Sequence, residues 1–163
     1  MAVESTAGEG TPVSLTWHAR TATPANAADS PLTLTTALDR TEVSEGDTVR
    51  VTAVLTNATA QPVGMAMAIV GLPAGLRLPP DFKQLKALTE RPAAGEPRAS
   101  HFEVTPREVV FYRRGLAANE SVTLVFDAVA ETPGTSRGPA SRAYPYYAPE
   151  FKHWATPLGV SVK

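Results

Sequence analysis

The sequence predicts an all-β protein: an antiparallel β-sandwich of seven or more short strands that carries one short α-helix. Three observations lead there. Short apolar segments alternate residue by residue along much of the chain, and turn-forming clusters separate them. The 15 prolines fall mostly between those segments. At 163 residues the chain suits one domain of ordinary size with a real core.

Taken in order, Ala2 to Gly10 is polar and small. Val13, Leu15 and Trp17 alternate with Ser14, Thr16 and His18, the period of a half-buried strand. Thr21 to Ser30 has linker composition. Leu32, Leu34 and Thr36 define a strand, and Ser44-Glu45-Gly46-Asp47 a turn. Val49, Val51 and either Ala53 or Leu55 continue a further strand into Asn57. Met65 to Leu72 is almost wholly apolar, as in a strand covered on both faces. Arg91 to Ser100 reads as a loop, and Phe102 with Val104 as a short extended piece. Val109 and Phe111 alternate with Val110 and Tyr112 before Gly115 is expected to turn the chain. Val122, Leu124 and Phe126 form another strand, Thr132 to Pro139 a loop, and Ala143–Tyr147 and Leu158–Val162 the last extended segments.

The helix is expected over Asp81–Glu90. Pro79 and Pro80 stop the preceding segment, and Asp81 with Gln84 has capping-box spacing. Phe82, Leu85 and Leu88 fall on one arc of the helix, to pack on a sheet. Lys83, Lys86 and Glu90 fall on the other. A solvated charged face is the plain interpretation of these lysines, and a partner-binding pair is the sharper one.

Several function classes are excluded or weakly supported. Fifteen basic against 16 acidic residues give a net charge of −1, with no excess to neutralise a phosphate backbone. There is no cysteine, hence no disulfide and no thiolate metal site. No apolar run approaches a membrane span, and Met1 with its successors lacks the regions of a signal peptide; Met1 reads as a start placed on an excised piece of a longer protein. His18, His101 and His153 lack metal-ligand spacing, no nucleophile elbow occurs, and no cofactor is implied. No catalytic constellation is present, so an enzyme is not expected. Asn57-Ala58-Thr59 and Asn119-Glu120-Ser121 match the glycosylation sequon, which chance explains. Arg113-Arg114 reads as a solvated corner. The four lysines, Lys83, Lys86, Lys152 and Lys163, sit in no confident core strand, which argues against an internal isopeptide. Tyr144, Tyr146, Tyr147, Phe151 and Trp154 are the richest aromatic cluster; packing is the ordinary role for such residues, and an interface with a neighbouring domain is the alternative.

Met65-Ala66-Met67-Ala68-Ile69-Val70 followed by Leu72-Pro73-Ala74-Gly75-Leu76 resembles the strand and turn of the C-terminal receptor-binding domain of the alpha-2-macroglobulin family. The helix sits in the matching place. Phe102–Val104, Val109–Tyr112 and Val122–Phe126 follow in the same order, as does Ala143-Tyr144-Pro145-Tyr146-Tyr147. Gly8–Gly10 and Val13–His18 resemble the end of the preceding CUB-like domain, which divides the chain into residues 1–30, a flexible segment, and 31–163, the sandwich. The resemblance implies a macroglobulin-type β-sandwich, a terminal non-catalytic part of a large protease-trapping inhibitor. It implies contacts with neighbouring domains of the parent, with trapped proteases or with a protein receptor, exposed on activation. In vertebrate members two helix lysines four residues apart bind a clearance receptor; Lys86 matches the later one, Phe82 falls at the earlier, and Lys83 is one residue on. The missing cysteines and the Ala/Pro/Arg-rich composition resemble a bacterial relative, periplasmic or secreted. The alternative is a structural or adhesive sandwich module of a bacterial surface or exported protein. The residues that would carry partner contacts are Lys83 and Lys86 on the helix, and Tyr144, Tyr146, Tyr147 and Trp154 near the chain's end.

Overall fold

Strand-forming residues alternate in and out of a shared interior, and the chain solves the pattern as two packed antiparallel sheets. The computed structural model describes residues 21–163 together with Ser14, Thr16 and His18; Val13, Leu15 and Trp17 of the expected first strand lie outside the described residues. Twelve strands and one helix follow in order: β1 (Leu32–Leu38), β2 (Glu42–Val43), β3 (Thr48–Asn57), β4 (Val63–Gly71), β5 (Leu76–Arg77), α1 (Lys83–Thr89), β6 (His101–Val104), β7 (Glu108–Leu116), β8 (Ser121–Ala130), β9 (Gly134–Arg137), β10 (Ser141–Pro145), β11 (His153–Ala155) and β12 (Gly159–Val162). One sheet has the order β1-β3-β8-β5, the second β11-β10-β4-β7-β6. A small third sheet sets β12 between β9 and β2, with β2 and β12 parallel. The protein is thus an antiparallel β-sandwich with one short helix.

The core lies where the two inner faces meet. Leu32 and Leu34, Val49 to Leu55 in alternation, and Val122, Leu124, Phe126 and Ala128 come from the first sheet. Ala66, Ala68, Val70, Val109, Phe111 and Ala143 come from the second. Phe111 and Phe126 meet across the interior with ring centroids 5.8 Å apart, close enough for a favourable tilted aromatic pair. Both Ala53 and Leu55 are buried, so β3 keeps a single alternating phase along its length.

The helix is shorter than the sequence predicts, and its start differs. Phe82 occupies the cap position with φ 50°, a left-handed conformation, while Asp81 Oδ1 accepts the Lys83 backbone N–H at 3.2 Å. Gln84 does not reach back to close a capping box. Its Oε1 instead accepts the Asp127 N–H on β8 at 2.7 Å. Leu85 and Leu88 are buried and Phe82 packs against Phe102 at 6.5 Å, so the apolar arc faces the sheets.

Three further expectations are corrected. Gly115 does not turn the chain: at φ 66° it stays within β7, and the turn comes at Ala117–Glu120, with Asn119 at φ 58°. Arg113 is no solvated corner. Its side chain runs inward, donating to Pro97 O at 2.9 Å and to Glu120 Oε1 at 3.0 Å. Part of the expected Thr132–Pro139 loop is β9.

Candidate docking surfaces

The outer face of the five-stranded sheet is the most distinctive surface. Its register puts Tyr144, Met67, Tyr112 and His101 in one row across β10, β4, β7 and β6. Trp154, Arg142, Ile69, Val110 and Glu103 form the next row, starting on β11. No second layer covers this face among the described residues, yet Met67, Ile69 and Val110 are buried there, walled in by Tyr112 and Tyr144. Aromatic rings and neighbouring stems thus do the work that a helix layer does elsewhere.

Charged groups frame the aromatics. Lys152 Nζ lies 4.9 Å from the Tyr144 ring centre and the Arg142 guanidinium 5.6 Å from that of Trp154, both in cation–π range. Arg142 also pairs with Glu108 at 2.6 Å. The Tyr112 hydroxyl donates to Glu103 Oε1 at 3.0 Å. Burial first, then the adjacent carboxylate, pushes the Tyr112 ionisation upward, so this phenol stays a neutral donor.

Four aromatics singled out in the sequence take two different positions. Tyr144 and Trp154 are half-buried on the sheet, on β10 and β11. Tyr146 and Tyr147 are not in a strand: β10 ends at Pro145, and a turn carries both beyond it. Tyr146 reaches back to Tyr112, 6.2 Å between centroids, and stacks edge-on with Tyr147 at 4.9 Å. Tyr147 is 85% exposed and Tyr146 43%. Tyr147 is thus the most exposed ring of the cluster. Met67, Tyr112, His101, Arg142 and Lys152 complete this face; the strand phase through Met65, Met67 and Ile69 was the available signal for the first.

The helix surface is separate. α1 packs on β6 and β8, at the far edge of the sheet from β10 and β11. Lys83 and Lys86 are both exposed, and Lys83 Nζ pairs with Asp81 at 3.2 Å. The Lys83 backbone N–H, then its ammonium, holds the Asp81 carboxyl below its usual range. The lysines and the aromatics therefore do not form one site.

Neither surface has the makings of a metal centre: among the described residues no three His, Asp or Glu side chains converge on a point. No helix among them is long and apolar enough to cross a membrane.

Comparison with known proteins fits this architecture. Residues 18–150 match the family described as the bacterial alpha-2-macroglobulin MG10 domain. No curated protein matches the chain in sequence. Among solved structures, native alpha-2-macroglobulin from Escherichia coli, spanning domain MG7 to the C-terminus, is similar with a TM-score of 0.62 and 22% identity, covering 86% of this chain and 25% of that one. Trypsin-activated alpha-2-macroglobulin from Escherichia coli gives a TM-score of 0.65 and 21% identity over 86% of this chain and 11% of that one. The N-terminal domain of the Streptococcus gordonii adhesin Sgo0707 gives 0.54 and 11% over 85% of this chain and 34% of that one. At these identities the structural likenesses speak to the fold, and the chain spans a quarter or less of the macroglobulins it matches.

Proposed function

The chain belongs to the bacterial alpha-2-macroglobulin MG10 domain family, and from that premise we propose that it is a non-catalytic docking domain of an exported, alpha-2-macroglobulin-like protease-trapping protein. The observation that carries this reading is the aromatic face: Met67, Ile69 and Val110 under Tyr112 and Tyr144, with Tyr147 projecting into water beside them. A rim of Arg142, Lys152, Glu103 and Glu108 surrounds it, the arrangement of an interface with an apolar centre and a charged border. Its partner in this reading is a neighbouring domain of the parent protein, since the macroglobulins it resembles are several times longer. The parent works outside the cytoplasm, in the periplasm or beyond. Lys83 and Lys86 form a second, separate contact surface, exposed on activation and open to a protein receptor or a trapped protease. The adhesin likeness favours the alternative, a structural or adhesive module; there the aromatic face would stay free in the parent.

The test is a pair of binders, one raised to the Tyr144–Trp154 face and one to α1. Each is measured on this domain alone, on the intact parent and on the parent after protease cleavage. Loss of the aromatic-face binder on the intact parent supports docking. Equal binding to domain and parent overturns it. A gain for the α1 binder on cleavage supports exposure on activation, and no gain removes the lysines from the proposal.

A further inference from the structure

One histidine joins the two sheets where their edges meet. Leu34 sits on β1 with its N–H turned away from β3, and among the described residues it donates to His153 Nδ1 on β11, at 3.2 Å. The alternation of an antiparallel ladder places that N–H on the open edge of the first sheet. Around the same seam residues 26–30 dock on the β11 side. Trp154 N–H donates to Asn26 Oδ1 at 2.6 Å, Ala27 N–H to Lys152 O at 2.9 Å, and Ser30 Oγ to Phe151 O at 3.0 Å. Ser30 Oγ also reaches Leu32 O at 2.8 Å. Four contacts thus hold residues 26–34 against residues 151–154, and the imidazole is the member of the set that can change its hydrogen-bonding sense.

We propose that His153 is an acid-released latch: neutral, it accepts the Leu34 N–H and closes the seam between β1 and β11; protonated at Nδ1, it turns a donor toward a donor and lets the seam open. The loosened element is the docked segment 26–30 together with the β1 edge.

The surroundings of the ring give the latch its direction. β1, packed against β11, carries no titratable side chain. On β10 Arg142 and Tyr144 point to the outer face, under Trp154 and Lys152. Asp29 and Glu150 are exposed, and none of these groups forms an ion pair with His153 among the described residues. Burial alone therefore acts on it, and lowers its pKa from the ordinary 6.5. The unfolded chain then binds the proton more readily than the folded one. The latch contributes fully above about pH 6.5 and is lost as pH falls through the lowered folded value.

The experiment uses the whole chain labelled with ¹⁵N. His153 ring nitrogens are titrated by NMR, and the exchange protection of the Leu34, Ala27 and Trp154 amides is measured at pH 7.5 and about one unit below the ring's observed midpoint, each corrected for intrinsic exchange. A neutral ring with its proton on Nε2 is expected at pH 7.5. Protection of Leu34 is expected to fall about fivefold to tenfold at the lower pH, the equivalent of one hydrogen bond, and Ala27 and Trp154 to fall with it. In His153→Gln, which cannot titrate, the ratio between the two pH values should stay near one. Unchanged wild-type protection, an equal fall in the variant, or a ring protonated on Nδ1 at pH 7.5 would each overturn the latch. The ring measurement stands on the wild type alone if the variant does not fold.

Discussion

Gln84 Oε1 accepts the backbone N–H of Asp127 at 2.7 Å, so α1 is fastened to the open edge of β8 by a side chain from its first turn. β5 pairs only with Val129 and Ala130 before Pro79 and Pro80 lead the chain away. The rest of that edge is left to Gln84 and to Arg98, whose Nη1 donates to Thr123 O at 2.9 Å. Covering an edge this way hides backbone groups that would otherwise recruit another strand. Gln84→Ala should cost about 1 kcal/mol in denaturant unfolding and speed exchange of the Asp127 amide. An unchanged Asp127 amide would return Gln84 to the capping role its spacing suggests.

The two faces of the helix should separate cleanly under mutation. Leu85 is 2% exposed, so Leu85→Ala should destabilise by roughly 2–4 kcal/mol. Lys83→Ala and Lys86→Ala should stay within about 0.5 kcal/mol, because the Lys83–Asp81 pair lies in water. Urea titration of the three variants distinguishes them, and a Leu85 cost below half a kcal/mol would place the apolar arc outside.

Gly71 ends β4 against the segment before β10. A Cβ there would sit 2.1 Å from the Pro139 carbonyl oxygen, and the Gly71 N–H is taken by buried Ser141 Oγ at 3.0 Å. Gly71→Ala must push one backbone off another and should cost at least about 2–3 kcal/mol. At Gly64, on the same strand, the added methyl meets open space, and Gly64→Ala should move stability by less than about 0.5 kcal/mol. Similar melting temperatures for the two would refute the close approach.

The two sequons should behave oppositely in a eukaryotic secretory host. Asn57 is fully buried: its Nδ2 donates to Gln61 O, Ala117 O and Leu116 O, and its Oδ1 accepts from Thr59 N–H and Oγ1. Asn119 is exposed in the β7–β8 turn. Mass spectrometry should find any glycan on Asn119 alone, and Asn57→Ala should cost about 2 kcal/mol or more by orphaning carbonyls.

Alternation carried most of the fold. The long strands β1, β3 and β8 write their buried phase directly in Leu, Val, Ala and Phe, β4 and β7 read as apolar on both phases, and the arc of Leu85 and Leu88 marks the helix. What stayed hidden depends on contacts distant in sequence. β5 and β9 are too short for a periodic signal and exist because β8 and β12 run beside them. Arg113 looks like a surface residue until Glu120 and Pro97 come to meet it. On the aromatic face the cluster near Tyr144 was legible, whereas Tyr112 and Met67 joined it only through the β4–β7–β10 register, and the Tyr146–Tyr147 turn breaks the strand their spacing suggested.

The order of strands in the first sheet has a consequence for how the protein emerges from the ribosome. β3 is complete at Asn57, but its inner partner β8 runs from Ser121 to Ala130. At ordinary translation rates roughly 4–15 s separate their synthesis. During that interval β3 has only the β1 hairpin partner, and β4 waits still longer for β10. The nascent amino-terminal half therefore exposes the aliphatic rows of two central strands, and should be the part of the chain that calls on chaperones.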